Sequence, residues 1–189
     1  MQRVDVSSLV VLGMRSPSAS WEQPFELLHA CHERASRMLA LLVKLQGHLV
    51  AHGVDEHAIA AAVDVMRYFD LAAPLHHRDE EEHVFPLAFA ADDNDVAAAV
   101  TRLAGQHAMM EAVWKGLRIE LLALAAPDRP TRLAVAWGTD HLVCAFRDLY
   151  CEHIGVEERV IYPYVQQRLS AASTETMGQA MAARRGAVA

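Results

Sequence analysis

Several things are scarce in this chain, and each scarcity removes a class of protein. No apolar run approaches the roughly 20 residues needed to span a bilayer. The N-terminal stretch Leu9-Val10-Val11-Leu12 is far too short. With Asp5 just ahead of it and no small-x-small cleavage site, it is also a poor signal peptide. Dense Lys/Arg runs are absent and the net charge is −7 with histidine neutral, so nothing could neutralise a row of phosphates. Neither nucleic acid nor membrane is therefore an expected partner. There are three cysteines, Cys31, Cys144 and Cys151, an odd count without zinc-finger spacing. That count points to reduced thiols, most simply small buried apolar residues, and to a cytoplasmic protein. Aromatics (6%) and glycines (nine) are few, and neither a Gly-rich phosphate loop nor a nucleophile motif is found.

What is abundant is alanine and leucine in helical period. Hydrophobic residues make up 53% of the 189 positions and charged residues 22%, enough for one domain with a substantial core. Residues 1–20 read as an irregular N-terminal arm, 21–169 as the main domain and 170–189 as a tail. In that tail, Thr174 to Arg185 is expected to form a short capping helix or a homodimer contact. The first of four long helices is expected from about Trp21 to His52, with Ser20 as N-cap, Gln23 in the capping box and Gly53 as terminator. A second runs from about Asp55 to Ala90, loosened by Pro74 just before His76. A third runs from about Asp95 to Ala125 behind the cluster Asp92-Asp93-Asn94-Asp95. After the turn Pro127-Asp128-Arg129-Pro130, a fourth runs from Thr131 to Leu169. No segment reads as a strand. The expectation is an all-α, up-down-up-down antiparallel four-helix bundle.

One phrase occurs twice. His76-His77-Arg78-Asp79-Glu80-Glu81-Glu82-His83-Val84-Phe85-Pro86 aligns with His153-Ile154-Gly155-Val156-Glu157-Glu158-Arg159-Val160-Ile161-Tyr162-Pro163 on the aromatic-Pro pair. Each copy places a Glu four residues after a His, hence on one helix face, where the two side chains can ligate a common ion. The repeat extends upstream: His32 precedes His76 by 44 positions, and His107 precedes His153 by 46. In antiparallel neighbours, residues equidistant from the connecting turn lie at one height. His32 and His76 are each 22 residues from Val54, and His107 and His153 are 22 and 24 from Arg129. Six residues, His32, His76, Glu80, His107, His153 and Glu157, therefore converge on one level of the core. Buried imidazoles and carboxylates are costly there unless paired or metal-bound. Ligand type alone admits iron, manganese or zinc.

On these residues the sequence resembles the hemerythrin-like family, the HHE cation-binding domain. The matching residues are His32, the phrases at 76–86 and 153–163, and Gln106-His107 with Glu111; the likeness covers about Trp21 to Leu169. The resemblance implies a four-helix bundle holding a non-haem di-iron centre with an oxo or hydroxo bridge. It also implies a small ligand, O2, NO or peroxide, and a role in oxidative or nitrosative stress response or in iron handling. A second reading keeps the fold but makes the protein a metal-stabilised redox sensor or adaptor acting on a protein partner. Oxygen-carrying members have a further His on the third helix and an Asp on the last, where this chain has Glu111 and Glu157. That difference leaves coordination positions open or admits Glu111 as a ligand.

Several other residues stand near the same register. His77 with Glu81 is an alternative pair, though the second copy selects His76 with Glu80. His29 competes with His32, and His48 enters only if the first helix bends. His52, His57, His83 and His141 read as solvated or helix-surface residues, and Glu81, Glu82 and Glu158 as a solvated acidic face with a secondary chance to orient a ligand. Tyr68 and Tyr162 are candidate donors to a bound oxygen species, and the aromatics beside the motifs are read as core or site lining.

Overall fold

Prolines and short polar caps divide the chain. The computed structural model describes residues 20–90, 92–126 and 141–187, and among these it is all helical, with no strand. Five helical stretches follow one another: α1 (Pro24–His52), α2 (56–89), α3 (Asn94–Ala125), α4 (142–166) and α5 (Ala171–Arg184). The expected arm at 1–20 lies, but for Ser20, outside the described residues, as do the expected turn at 127–130 and the start of the fourth helix at Thr131.

The caps follow the local chemistry with one exception. Asp55 accepts a hydrogen bond from Ala58 N at the start of α2, and Asp93 accepts from Asp95 N and Val96 N at the start of α3. Ser20 does not cap α1. The helix begins at Pro24 behind Gln23, which makes no side-chain cap, and Ser20 instead accepts Gln23 N through its carbonyl in a preceding turn. Gly53 takes a positive φ of 75° as it ends α1, a conformation glycine adopts at no steric cost.

Two helices contain widened π-turns, and their cause can be read residue by residue. The π-turns are Tyr68–Ala72 and Glu80–Val84 in α2 and Glu157–Ile161 in α4. Each is followed by a residue-Pro pair: Ala73-Pro74, Phe85-Pro86 and Tyr162-Pro163. A proline lacks the amide donor and its ring crowds the carbonyl four residues back. The residue before each proline instead reaches five back: Ala73 N to Tyr68 O, Phe85 N to Glu80 O, Tyr162 N to Glu157 O. The loosening expected just before His76 thus falls earlier, ahead of Pro74. The aromatic-Pro pair of the repeated phrase places a π-turn at the Glu of both copies, and such bulges are frequent at functional sites.

Two apolar cores flank a polar layer. One gathers Ala35 to Leu49 of α1, Ala58 to Ala73 of α2, Met110 to Leu124 of α3 and Val143 to Tyr150 of α4. The other gathers Phe25 to Leu28, Val84 to Ala88, Val96 to Leu103 and Ile161 to Val165, with Met177 and Met181 from α5. Between them on every one of the first four stretches lie buried His or Glu residues. Along α1, Leu27, Leu28, Cys31, Leu39, Leu42 and Leu45 form a buried stripe, with Val43 half-buried beside it.

α5 is fastened to the rest by packing and charge. At Gly178 a Cβ would stand 1.8 Å from Trp21 O, so the close approach of the two backbones requires glycine. Arg184 and Arg185 both pair with Asp79, which is fully buried one residue before Glu80.

Candidate metal centre

The structure brings the six sequence-identified residues together. His32 comes from α1, His76 and Glu80 from α2, His107 from α3, and His153 and Glu157 from α4; each is at most 5% exposed. They form two quartets, His32, His76, Glu80 and Glu157, and Glu80, His107, His153 and Glu157. Within each quartet the ligand atoms lie within 4.8 Å of one another. Both carboxylates belong to both quartets.

The atoms present an ordered arrangement. All four histidines turn Nε2 inward. Glu157 lies between His32 Nε2 at 3.2 Å and His153 Nε2 at 3.0 Å. Glu80 lies 3.4 Å from both His76 Nε2 and His107 Nε2. Both carboxylates therefore span the two quartets. Yet Glu80 Oε2, both oxygens of Glu157 and His76 Nδ1 are buried without a hydrogen-bond partner. Groups left so in a protein core carry a desolvation cost of about 1–3 kcal/mol each, more when charged. A cation between them removes that cost, and mixed imidazole and carboxylate donors suit a first-row transition metal.

The outward nitrogens are held from behind. His32 Nδ1 meets Glu158 Oε1 at 2.6 Å, His107 Nδ1 meets Glu81 Oε1 at 2.8 Å, and His153 Nδ1 meets Gln106 Oε1 at 3.1 Å. Such partners fix the tautomer that leaves Nε2 free to ligate. The secondary role read for Glu81 and Glu158 is the one their contacts show: Glu81 stays exposed and Glu158 half-buried, and each also orients an imidazole across a helix boundary. The doubled Glu at 80–81 and 157–158, in register in both copies, was the available signal. For Gln106 the signal was its place beside His107 among the residues that carry the resemblance.

Electrostatics distinguish the imidazoles. Burial acts to lower the pKa of His32, but Glu157, Glu158 and Glu80 outweigh it and raise it to about 11. For His76, burial dominates and is reinforced by His32, His107 and His153, so that despite Glu80 its pKa falls to about 3. His107 is raised, since Glu80 and Glu81 overcome its burial. Burial would raise Glu80, but His76, His107 and His32 hold it well below the usual carboxylate range. The cluster already stores positive charge beside carboxylates, as a cation would.

The remaining candidates are sorted by contact. Glu111 is exposed and pairs with Lys115 at 2.7 Å, away from the six. His48 bonds Asp55 at 2.9 Å at the end of α1, so α1 does not bring it to the centre. His29 lies one step outside, 2.6 Å from the far oxygen of Glu158. His77 joins neither quartet; its ring stacks on that of His107 at 3.9 Å. His52, His57 and His141 are exposed, whereas His83 is half-buried with Nε2 shielded. Tyr162 is buried, stacks on His32 and donates to Glu80. Tyr68 instead donates to Cys31 O at 3.0 Å. Trp137, one of the aromatics expected in the core or site lining, lies outside the described residues.

Comparison with known proteins agrees with this geometry. The Hemerythrin HHE cation binding domain matches residues 23–165. An uncharacterized protein of Haemophilus influenzae is 32% identical over 168 residues, covering 88% of this chain and 92% of the relative. The buried His/Glu cluster and the match along most of its length mean that the chain belongs to the hemerythrin HHE cation-binding family.

Proposed function

We propose that this protein is a non-haem di-iron protein that binds or responds to O2, NO or peroxide in oxidative or nitrosative stress or in iron handling. The observation that carries the reading is the pair of quartets sharing Glu80 and Glu157, with four inward Nε2 atoms and carboxylate oxygens that no donor serves. His32 and His76 would hold one ion, His107 and His153 the other, and Glu80 and Glu157 would bridge. Iron held there supplies open coordination positions and a change of valence to a small ligand. Glu158, Glu81 and Gln106 keep three imidazoles in the ligating tautomer, and the two apolar cores keep bulk water from the layer between them. The alternating order in which α1 to α4 visit the two cores supports an up-down-up-down four-helix bundle around that layer.

The setting supports the same reading. All three cysteines are free, which suits a reducing cytoplasm. Among the described residues no helix is long and apolar enough to cross a membrane, and a net charge of −7 disfavours nucleic acid. A small molecule is the ligand we expect. Protein produced in iron-rich medium should carry two irons per chain and show charge-transfer absorption of ferric iron that changes on adding NO to the reduced form. Well under one iron per chain would overturn the reading.

A second reading, a redox sensor or adaptor, draws on α5. Its Arg184 and Arg185 grip Asp79, the neighbour of Glu80, so a change at Glu80 has a short path to the C-terminal helix. Hydrogen exchange in α5 that differs between oxidised and reduced holo-protein would favour it. Peroxide or NO turnover that is lost in Glu157→Ala would count against it.

A further inference from the structure

The two quartets do not have equal access to solvent. A cleft of about 720 Å³ opens beside α2 and α3, and of the six candidate ligands only His107 lines it. On the other side, Tyr162 lies over His32 and donates to Glu80. The wall between cleft and quartet includes His77, whose Nε2 is shielded from solvent and has no hydrogen-bond partner. Its ring lies 3.9 Å from that of His107, 5.9 Å from that of His76 and 6.2 Å from that of His153. A buried nitrogen with nothing to bond costs free energy unless something visits it.

The chemistry of the cleft narrows what that visitor is. Its cations are already matched by carboxylates: Arg78 with Glu82 at 2.6 Å, Lys115 with Glu111 at 2.7 Å and Arg118 with Asp70 at 2.9 Å. No local excess of positive charge is left to recruit an anion. Phe69, Ala73, Trp114 and Tyr150 form apolar lining. Small uncharged molecules enter such a space with little desolvation cost, whereas ions lose hydration.

We propose that the α2/α3 cleft is the entry route for a small uncharged ligand to the His107/His153 half of the centre, and that His77 hydrogen-bonds the ligand once it is there. The proposal rests on the metal-binding reading above and adds which ion is reached, from which side, and by which residue the ligand is held. Nitric oxide, uncharged and optically visible on reduced iron protein, is the probe. Ala108→Trp places bulk at an exposed position of the cleft lining and should slow NO association on the order of tenfold, with iron content unchanged. His77→Leu should leave association intact and speed dissociation roughly tenfold, as for a lost hydrogen bond to a ligand. His77→Gln, which retains an N–H donor, should recover most of the wild-type dissociation rate.

Unchanged association in Ala108→Trp would overturn the route. Loss of iron in His77→Leu would make His77 a ligand and overturn its assigned role, as would a dissociation rate equal to wild type. Wild-type protein that holds iron but takes up no NO would defeat the gas-binding reading itself, and this proposal with it, whatever the variants do.

Discussion

The two halves of the centre come from one repeated phrase yet sit in different surroundings. The His32/His76 half is closed by Tyr162 and clamped from behind through Asp79 to α5. The His107/His153 half faces the cleft, and in the copy of the phrase that supplies His153 the residue before the shared Glu157 is Val156, which offers no charge to a clamp. Equal ligands thus stand in unequal frames. What a local repeat duplicates is the donor set; what surrounds each donor is set by whichever helix packs there.

The largest expected effect tests what the halves share. Because Glu80 and Glu157 each belong to both quartets, Glu80→Ala or Glu157→Ala should drop metal content from two ions per chain to fewer than one, read by elemental analysis. His153→Ala should lose one ion and leave the closed half occupied. Equal loss from the glutamate and histidine variants would break the two-half description.

Next comes the clamp that only the first copy of the phrase has. Asp79→Ala removes the buried carboxylate that Arg184 and Arg185 share and should cost about 3 kcal/mol, seen as a lower denaturant midpoint. Val156→Ala, at the matching position of the other copy, is half-buried and should cost under about 1.5 kcal/mol. Comparable losses would remove the asymmetry.

Smaller effects follow from the outer carboxylates. Glu158→Gln and Glu81→Gln each weaken the hold on one imidazole and should each reduce affinity for one ion by about tenfold, measured by competition with a chelator. If both variants weaken the same ion, the assignment of one carboxylate to each half is wrong.

The smallest effect concerns protons. With its pKa raised to about 11, His32 is protonated throughout the neutral range in metal-free protein, so an ion bound there must displace a proton. His76, lowered to about 3, already offers a lone pair. Metal uptake should therefore acidify a weakly buffered solution, and affinity should fall as pH falls. The folding linkage has opposite signs at the two residues. The contribution of His32 to metal-free stability is full below pH 6.5 and is lost as pH rises through about 11; that of His76 is present above 6.5 and lost as pH falls toward 3. Uptake without proton release in an indicator dye assay would contradict the protonated His32.

Much of the centre was legible because helical spacing is local. His and Glu four apart must share a face, and Asp55 and Asp93 must end up near unpaired amides. For Glu81 and Glu158 the sequence offered orientation of a ligand only as a secondary role, because a residue beside a ligand points about 100° around the helix, and the periodicity of one helix cannot say which neighbour waits there. His107 from α3 answers Glu81, and His32 from α1 answers Glu158. Ser20 failed as a cap because proline in the first turn moved the helix start to Pro24. Glu111 was admitted as a possible further ligand by its place four residues after His107, but α3 turns it outward to Lys115.

By itself the sequence determined the helices, the donor types, their spacing and, through the aromatic-Pro pairs, the π-turn at each Glu, since all of these follow from contacts within a few residues. The tertiary structure alone decided that each glutamate spans both quartets, which partners hold the imidazoles from behind, and that one half is closed while the other meets a cleft. Those features depend on how separate helices pack, and packing joins residues as far apart as His32 and Glu158, which no local pattern connects.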